Sequence, residues 1–273
     1  MAQEPIWFPD ADFLDHPNLV ENVLDRHTGG ECGTRCAYIW EGDDGSVRRL
    51  TYDQLHVEVN RAANALLSLG LKQGDCVGVY MPVLVETIVV ALATIKLGGI
   101  FVPLSPGLPA KALGFRLRDA GARWAVTADG FYRRGKSIEL KARLDEALAH
   151  VPQVEQVIVV ARTGSKVTMQ PGRDVWWRQA VAQQSAKAQT VAVDPDAPVY
   201  IWYPPQSTGI AKGTVWTHIG LLRAGIEEVR LHFNDRDDKA FLWADQWGWA
   251  ELPLRVISGV GCAGGTLKIL EGA

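Results

Sequence analysis

The sequence predicts an α/β fold in which helices pack on a largely parallel sheet. Three observations carry the prediction. Short apolar runs alternate with amphipathic ones from Cys76 to Ala128, the order that parallel strands with helical crossovers produce. The run "EQVIVVA" from Glu155 is β-branched and apolar without alternation, as suits a strand buried on both faces. Gly70, Pro82 and the Gly98–Gly99 pair stand at the joints, where a chain must stop or turn. With 273 residues, 47% hydrophobic and 22% charged, the chain can bury a large core and has the composition of an ordinary globular protein.

The elements follow in order. In "LTYDQLHVEVNRAANALLSLG", Leu55, Val59, Ala62, Ala63, Leu66 and Leu67 recur at helical spacing, Thr51 is placed to cap, Gln54 completes a capping box, and Gly70 stops the helix. "CVGVYM" reads as a buried strand ended by Pro82, and "LVETIVVALATIKLGG" as a helix closed by two glycines. A strand "IFVPL", a helix "AKALGFRLRDAG" and a strand "RWAVTA" come next. "KARLDEALAHVPQV" is helical, "EQVIVVA" a strand, "TGSKVTMQPGRDVWW" rich in turns, and "WWRQAVAQQSAKA" a short helix. "APVYIWY" is a further buried strand, followed by a loop and a helix from about Thr217 to Phe233. The expected organisation is an N-terminal extension over 1–50 and one α/β unit over 51–273.

Net charge is −3 and no segment gathers a long run of lysine or arginine, which argues against nucleic acid or a membrane surface as partner. The longest apolar stretch, Val83 to Ile100, carries Glu86 and Lys96 and does not read as a membrane span. The N-terminal residues carry no basic region followed by an apolar run, so a cytoplasmic protein is expected. Cys32 and Cys36 have a spacing that zinc tolerates, but no second Cys or His pair stands at a finger-like distance, and no metal is assigned. No Ser/His/Asp set can be assembled from spacing, and no catalytic residue is assigned.

Two segments carry chemistry. In "YIWYPPQSTGIAKGTVWTH", a strand leads into a loop with hydroxyls at Ser207 and Thr208, a glycine at Gly209, a cation at Lys212 and a second glycine at Gly213, and a helix follows. Anion-binding loops work because backbone N–H groups converge on phosphate oxygens and glycines let the backbone approach. Taken alone, the string also fits a structural turn. The second segment is Arg133, Arg134, Gly135 and Lys136, three positive charges in four residues, which an anionic ligand would need and which a solvated surface loop can also show.

The first loop resembles the signature of the AMP-forming acyl-CoA synthetases and other adenylate-forming enzymes, Y-T-S-G-[ST]-T-G-x-P-K-G-V-x-H-T-H, which wraps the triphosphate of ATP. Tyr203, Ser207, Thr208, Gly209, Lys212, Gly213, Thr217 and His218 match it; Pro204, Pro205, Gln206, Ala211, Thr214 and Trp216 depart from it. The prolines remove two N–H donors and glutamine replaces a glycine, changes that weaken a phosphate cradle. The segment "AYIWEGDDGSVRRLTYDQLHVEVNRAANALLSLGLKQGDCVGVYMP" is similar to the N-terminal region of acetyl-CoA synthetases, as are "DAGARWAVTADGFYRRGK", "VIVVARTG" and "GRDVWW" in the same order. Near the end, Asp245, Gly248 and Trp249 keep part of another family pattern, Glu251 stands where the family has a threonine, and Trp243, Trp247 and Trp249 read as packing.

The resemblance implies an acetate:CoA ligase-like chain that joins acetate or another short carboxylate to coenzyme A with ATP and Mg2+. It implies a nucleotide-phosphate loop at Ser207, Thr208, Gly209, Lys212 and Gly213, and a coenzyme A contact at Arg133, Arg134, Gly135 and Lys136. The family's adenine- and magnesium-binding segment, hinge and catalytic lysine lie beyond the matched stretch. The 273 residues are therefore expected to form an incomplete N-terminal domain of the adenylate-forming ligase fold, without the C-terminal domain and inactive alone. The alternative is a non-catalytic CoA- or nucleotide-binding module derived from such a ligase. A last strand "TLKIL" exposed as a sheet edge would favour self-association or a complementary C-terminal chain.

Overall fold

A computed structural model of the chain describes residues 15–204, 211–232, 240–243 and 252–271. The first elements are α1 (Leu19–Val23), α2 (Gly30–Thr34), β1 (Cys36–Glu41) and β2 (Val47–Thr51). The expected capping box then starts α3 (Tyr52–Ser68): Thr51 Oγ1 accepts the Gln54 N–H at 3.2 Å, and the Gln54 side chain accepts the Thr51 N–H at 2.9 Å. Gly70, at φ 91°, takes the left-handed turn that ends it.

The alternation expected from Cys76 onward is observed. It comprises β3 (Cys76–Tyr80), α4 (Val85–Lys96), β4 (Ile100–Leu104), α5 (Ala110–Asp119) and β5 (Trp124–Ala128). A hairpin of β6 (Gly130–Arg133) and β7 (Lys136–Glu139) follows, then α6 (Lys141–Leu148), β8 (Gln156–Val160), β9 (Asp174–Trp176) and α7 (Trp177–Val181). The chain continues with β10 (Pro198–Trp202), β11 (Thr214–Thr217), α8 (His218–His232), β12 (Ala240–Trp243), α9 (Leu252–Cys262) and β13 (Thr266–Leu270).

Seven strands form one sheet in the order β11-β10-β4-β3-β5-β8-β9, parallel throughout except for β11. Four form a second sheet in the order β12-β13-β1-β2, in which only β1 and β2 are antiparallel. Helix α4 is apolar on every side and packs against α1, α3 and β4. At its end Lys96 is 1% exposed and places its ammonium 2.8 Å from Asp25 and 2.6 Å from Thr190. A buried lysine demands such partners, and these tie α4 to the N-terminal segment and to the strand-free stretch before β10.

Two expectations change. The strand "TLKIL" is not an edge: β13 is bonded to β1 on one side and β12 on the other. It can lie in the interior because β1, from the far end of the chain, comes in parallel to it. The expected loop before the helix also contains a strand: Thr214–Thr217 pairs antiparallel with Pro198–Trp202 as β11, and α8 then starts at His218, next to the expected Thr217.

Candidate functional site

Lys212 and the cationic hairpin both lie beyond the carboxyl ends of parallel strands of the seven-stranded sheet. The phosphate-loop segment follows β10, while Asp129 and the cationic hairpin follow β5, three positions away in the order β10-β4-β3-β5. At the usual strand spacing that is roughly 14 Å across the sheet. Ligands of open α/β sheets bind along this crest. The fold therefore brings to one rim two segments that stand far apart in the sequence.

The cations of the second segment are arranged by a two-residue hairpin. Arg133 pairs directly with Lys136, leaving Arg134 and Gly135 as the turn, with φ of 51° and 72°. Two successive left-handed residues make a type I′ turn, where Asn-Gly is the usual occupant. Glycine takes this conformation freely, whereas an arginine there costs about 1 kcal/mol. Arg133 and Lys136 are the pair that closes the turn, and like charges placed directly opposite each other cost up to about 1 kcal/mol unless an anion lies between them. Arg134, Gly135 and Lys136 are exposed.

Beneath the hairpin is a buried polar framework. Asp129 is 1% exposed and accepts four backbone N–H groups, from Gly130, Arg162 and Thr163 on Oδ1 and from Gly164 on Oδ2, at 2.8 to 3.0 Å. It ties the base of the hairpin to the loop that leaves β8. The Arg162 guanidinium grips Glu271 through Nε at 2.9 Å and Nη2 at 2.7 Å, and reaches Asp44 through Nη1 at 2.9 Å. It lies 5.1 Å from the Trp40 ring and 4.9 Å from the Tyr132 ring. Burial works against the Arg162 charge, but Glu271 and Asp44 more than offset it, and Arg162 in turn holds the Asp44 carboxyl far below the usual range.

At the phosphate-loop segment, Ser207, Thr208 and Gly209 lie outside the described residues, as do Asp245, Trp247, Gly248, Trp249 and Glu251; of Trp243 only the backbone is described. The flanks are defined. Lys212 is exposed at the start of the returning strand. Gly213 is required by packing, since a Cβ there would stand 2.8 Å from Ile201 Cγ2 and 3.3 Å from the Tyr203 ring. Tyr203 is buried and donates its phenol to Asp119 at 2.7 Å; burial, then Asp119, pushes its pKa up and keeps it a donor. Because β11 intervenes, the N-terminus of α8 lies roughly 14 Å along the strand from Gly213. The two strands that flank the segment, β10 and β11, pair antiparallel, with Trp202 opposite Thr214.

His218 matches the family pattern by position, but it faces the interior. It is fully buried, and its Nδ1 accepts the Leu19 N–H at 3.1 Å, which places the ring proton on Nε2. Burial lowers its pKa to about 4. It is a structural histidine that pins α1 to the start of α8. Cys32 and Cys36 are free thiols. A cleft of about 830 Å³ lined in part by Arg48, Glu58, Glu86, Trp176 and Trp177 includes none of the residues expected to bind phosphate. Sequence reasoning missed Asp129, Arg162 and Glu271. Their one sequence signal is a charged residue directly after a strand, which only the sheet order makes meaningful.

The profile of the family described as AMP-binding enzyme matches residues 25–272. The chain belongs to that family. It is 37% identical over 269 residues to the acetyl-coenzyme A synthetase of Methanothrix soehngenii, covering 98% of this chain and 39% of that protein. It is 38% identical over 267 residues to the acetyl-coenzyme A synthetase of Streptomyces coelicolor, covering 97% of this chain and 40% of the relative. The chain thus spans about two fifths of the length of these curated relatives, their N-terminal part. The α/β architecture with its parallel sheet is consistent with the N-terminal domain of the adenylate-forming fold. No helix among the described residues is long and apolar enough to cross a membrane.

Proposed function

We propose that these residues supply the coenzyme A arm and the nucleotide-phosphate loop of an AMP-forming, acetate:CoA ligase-like enzyme of the cytoplasm. The observation that carries the reading is the hairpin tip, where Arg133 and Lys136 face each other across a turn that holds Arg134 in a left-handed conformation. Left empty, that arrangement is self-repelling; with a nucleotide phosphate between the cations it is complementary. Lys212 on the same rim, together with Ser207, Thr208, Gly209 and Gly213, would take the triphosphate of ATP.

In the proposed reaction a carboxylate oxygen bonds to the α-phosphorus of ATP and pyrophosphate leaves. The sulfur of coenzyme A then bonds to the acyl carbon, AMP leaves with the electron pair, and the thiol proton passes to solvent. The contribution of this chain is to hold the charged ends of both nucleotides in place. Among the described residues no group of three or more His, Cys, Asp or Glu is placed to hold a metal ion, so no step is assigned to Mg2+ here.

Calorimetric titration with coenzyme A tests the arm. Replacing both Arg133 and Lys136 by alanine is expected to weaken binding at least about tenfold at low salt and to flatten its salt dependence. Equal affinity in the variant would remove the arm from the reading. By itself, the 273-residue polypeptide is expected to release no AMP above background from acetate, ATP, Mg2+ and coenzyme A; turnover of order 1–10 s⁻¹, ordinary for an enzyme, would overturn that expectation.

Pro204, Pro205 and Gln206 favour a second reading, a binding module that keeps coenzyme A or nucleotide affinity without adenylation. Joining these residues to the remaining part of a relative separates the two. Restored AMP release supports the ligase, and coenzyme A binding without AMP release supports the module.

A further inference from the structure

We infer that Asp43, backed by the buried Glu271, is a positioning residue that sets the angle of the cationic turn. The inference rests on the reading of that turn as the coenzyme A arm. A two-residue hairpin tip in solvent is ordinarily free to rock on its strands. This one is tethered. Its outermost amide, the Gly135 N–H, donates to Asp43 Oδ2 at 2.9 Å, across from the loop between β1 and β2. Asp43 is itself fixed from behind, its own N–H donating to Glu271 Oε2 at 3.2 Å, while the Tyr132 N–H of β6 reaches Glu271 Oε1 at 3.4 Å.

Glu271 can serve as the anchor because it cannot move. Its side chain is fully buried, and Arg162 holds both of its oxygens. Arg162 in turn is fixed by Asp44 and flanked by the rings of Trp40 and Tyr132. One carboxylate thus joins three segments, the β1–β2 loop, strand β6 and the end of β13. The tip of the arm is the last link of that chain. Asp43 meets the turn through the Gly135 N–H. Its carboxylate is engaged with a backbone amide, so its chief effect on a ligand is through the geometry of the turn.

Asp43 is exposed, so its replacement leaves the core intact. The test is titration of coenzyme A into the 273-residue chain and its Asp43→Ala, Asp43→Asn and Arg133→Ala variants, with thermal unfolding measured in parallel. Asp43→Ala is expected to weaken binding about fivefold, the loss of one charge-assisted hydrogen bond, with little change in the unfolding midpoint. Asp43→Asn retains an acceptor for the Gly135 N–H and is expected to restore affinity, a rescue that general destabilisation would not produce. If Arg133→Ala weakens binding while Asp43→Ala does not, the arm stands and the positioning role is wrong. Tighter binding by Asp43→Ala would show the aspartate acting through repulsion of phosphate, and would also overturn the inference. If Arg133→Ala binds as well as the parent chain, the coenzyme A reading itself fails, and the inference falls with it.

Discussion

Replacing Asp129 by alanine is expected to lower the unfolding free energy by about 4 kcal/mol, because four backbone N–H groups lose their acceptor and each orphaned donor costs about 1–3 kcal/mol when water cannot fully replace it. The carboxylate lies at the junction of β5, the β6–β7 hairpin and the loop after β8, and the four amides converge on it from two of those segments. Asp129→Asn separates hydrogen bonding from mere volume. Its oxygen can keep the three bonds now made to Oδ1, but its amide faces the Gly164 N–H donor to donor, so a loss of roughly half the alanine value is expected. Urea unfolding followed by circular dichroism measures both. An alanine variant within about 1 kcal/mol of the parent chain would mean that these amides find water, and that the base of the hairpin does not depend on the carboxylate.

The second large effect concerns pH. His218 is held neutral in the folded chain, its pKa lowered by burial to about 4. As the pH falls from about 6.5, an unfolded chain takes up the proton first, so stability is lost through the window down to about 4, where the folded form is protonated as well. The full loss is about 3 kcal/mol at 1.36 kcal/mol per unit. His27, also lowered by burial, acts with the same sign. The carboxylates Asp25 and Asp44 have lowered values, so what they add is lost only at more acid pH and does not fill this window. Unfolding midpoints at pH 7, 5.5 and 4.5 should therefore decline, and the decline should be shallower in His218→Asn, whose side-chain oxygen can still accept the Leu19 N–H. An unchanged slope in the variant would assign the pH dependence elsewhere.

The layered part of the fold was legible because its signals are local. The capping box at Thr51 and Gln54, the apolar helix from Val85 and the β-branched run from Gln156 each announce their structure within a dozen residues, and each is found as expected. What was missed depends on distant partners. "TLKIL" reads as a lone strand with a free edge until β1 is known to lie beside it. Thr214–Thr217 is made of strand-forming residues, yet the glycines and lysine before it drew the segment into the loop and hid its pairing with β10.

Of the candidate site, the sequence displays residue types and not their arrangement. The sequence displays the cations of Arg133–Lys136, but their opposition across a type I′ turn follows from the register Arg133↔Lys136. The acids behind the turn, Asp43, Asp129 and Glu271, come from three separate parts of the chain, and no spacing rule connects them.

The parallel pairing of β1 with β13 also bears on how the chain is made. The Thr266 hydroxyl donates to the Cys36 carbonyl across 230 residues of sequence, and Tyr38 stands opposite Leu267. A ribosome adding roughly 5–20 residues per second delivers β1 long before β13, so the β1–β2 hairpin must wait for roughly 10–45 seconds with one side of β1 unpaired. Closing so wide a loop is also slow by its entropy. The β3–β4–β5–β8 portion of the other sheet can form meanwhile from segments already emerged. The strand synthesised first in the four-stranded sheet is thus among the last to be completed, and during translation its open edge is where a chaperone, or a wrong neighbour, would engage the nascent chain.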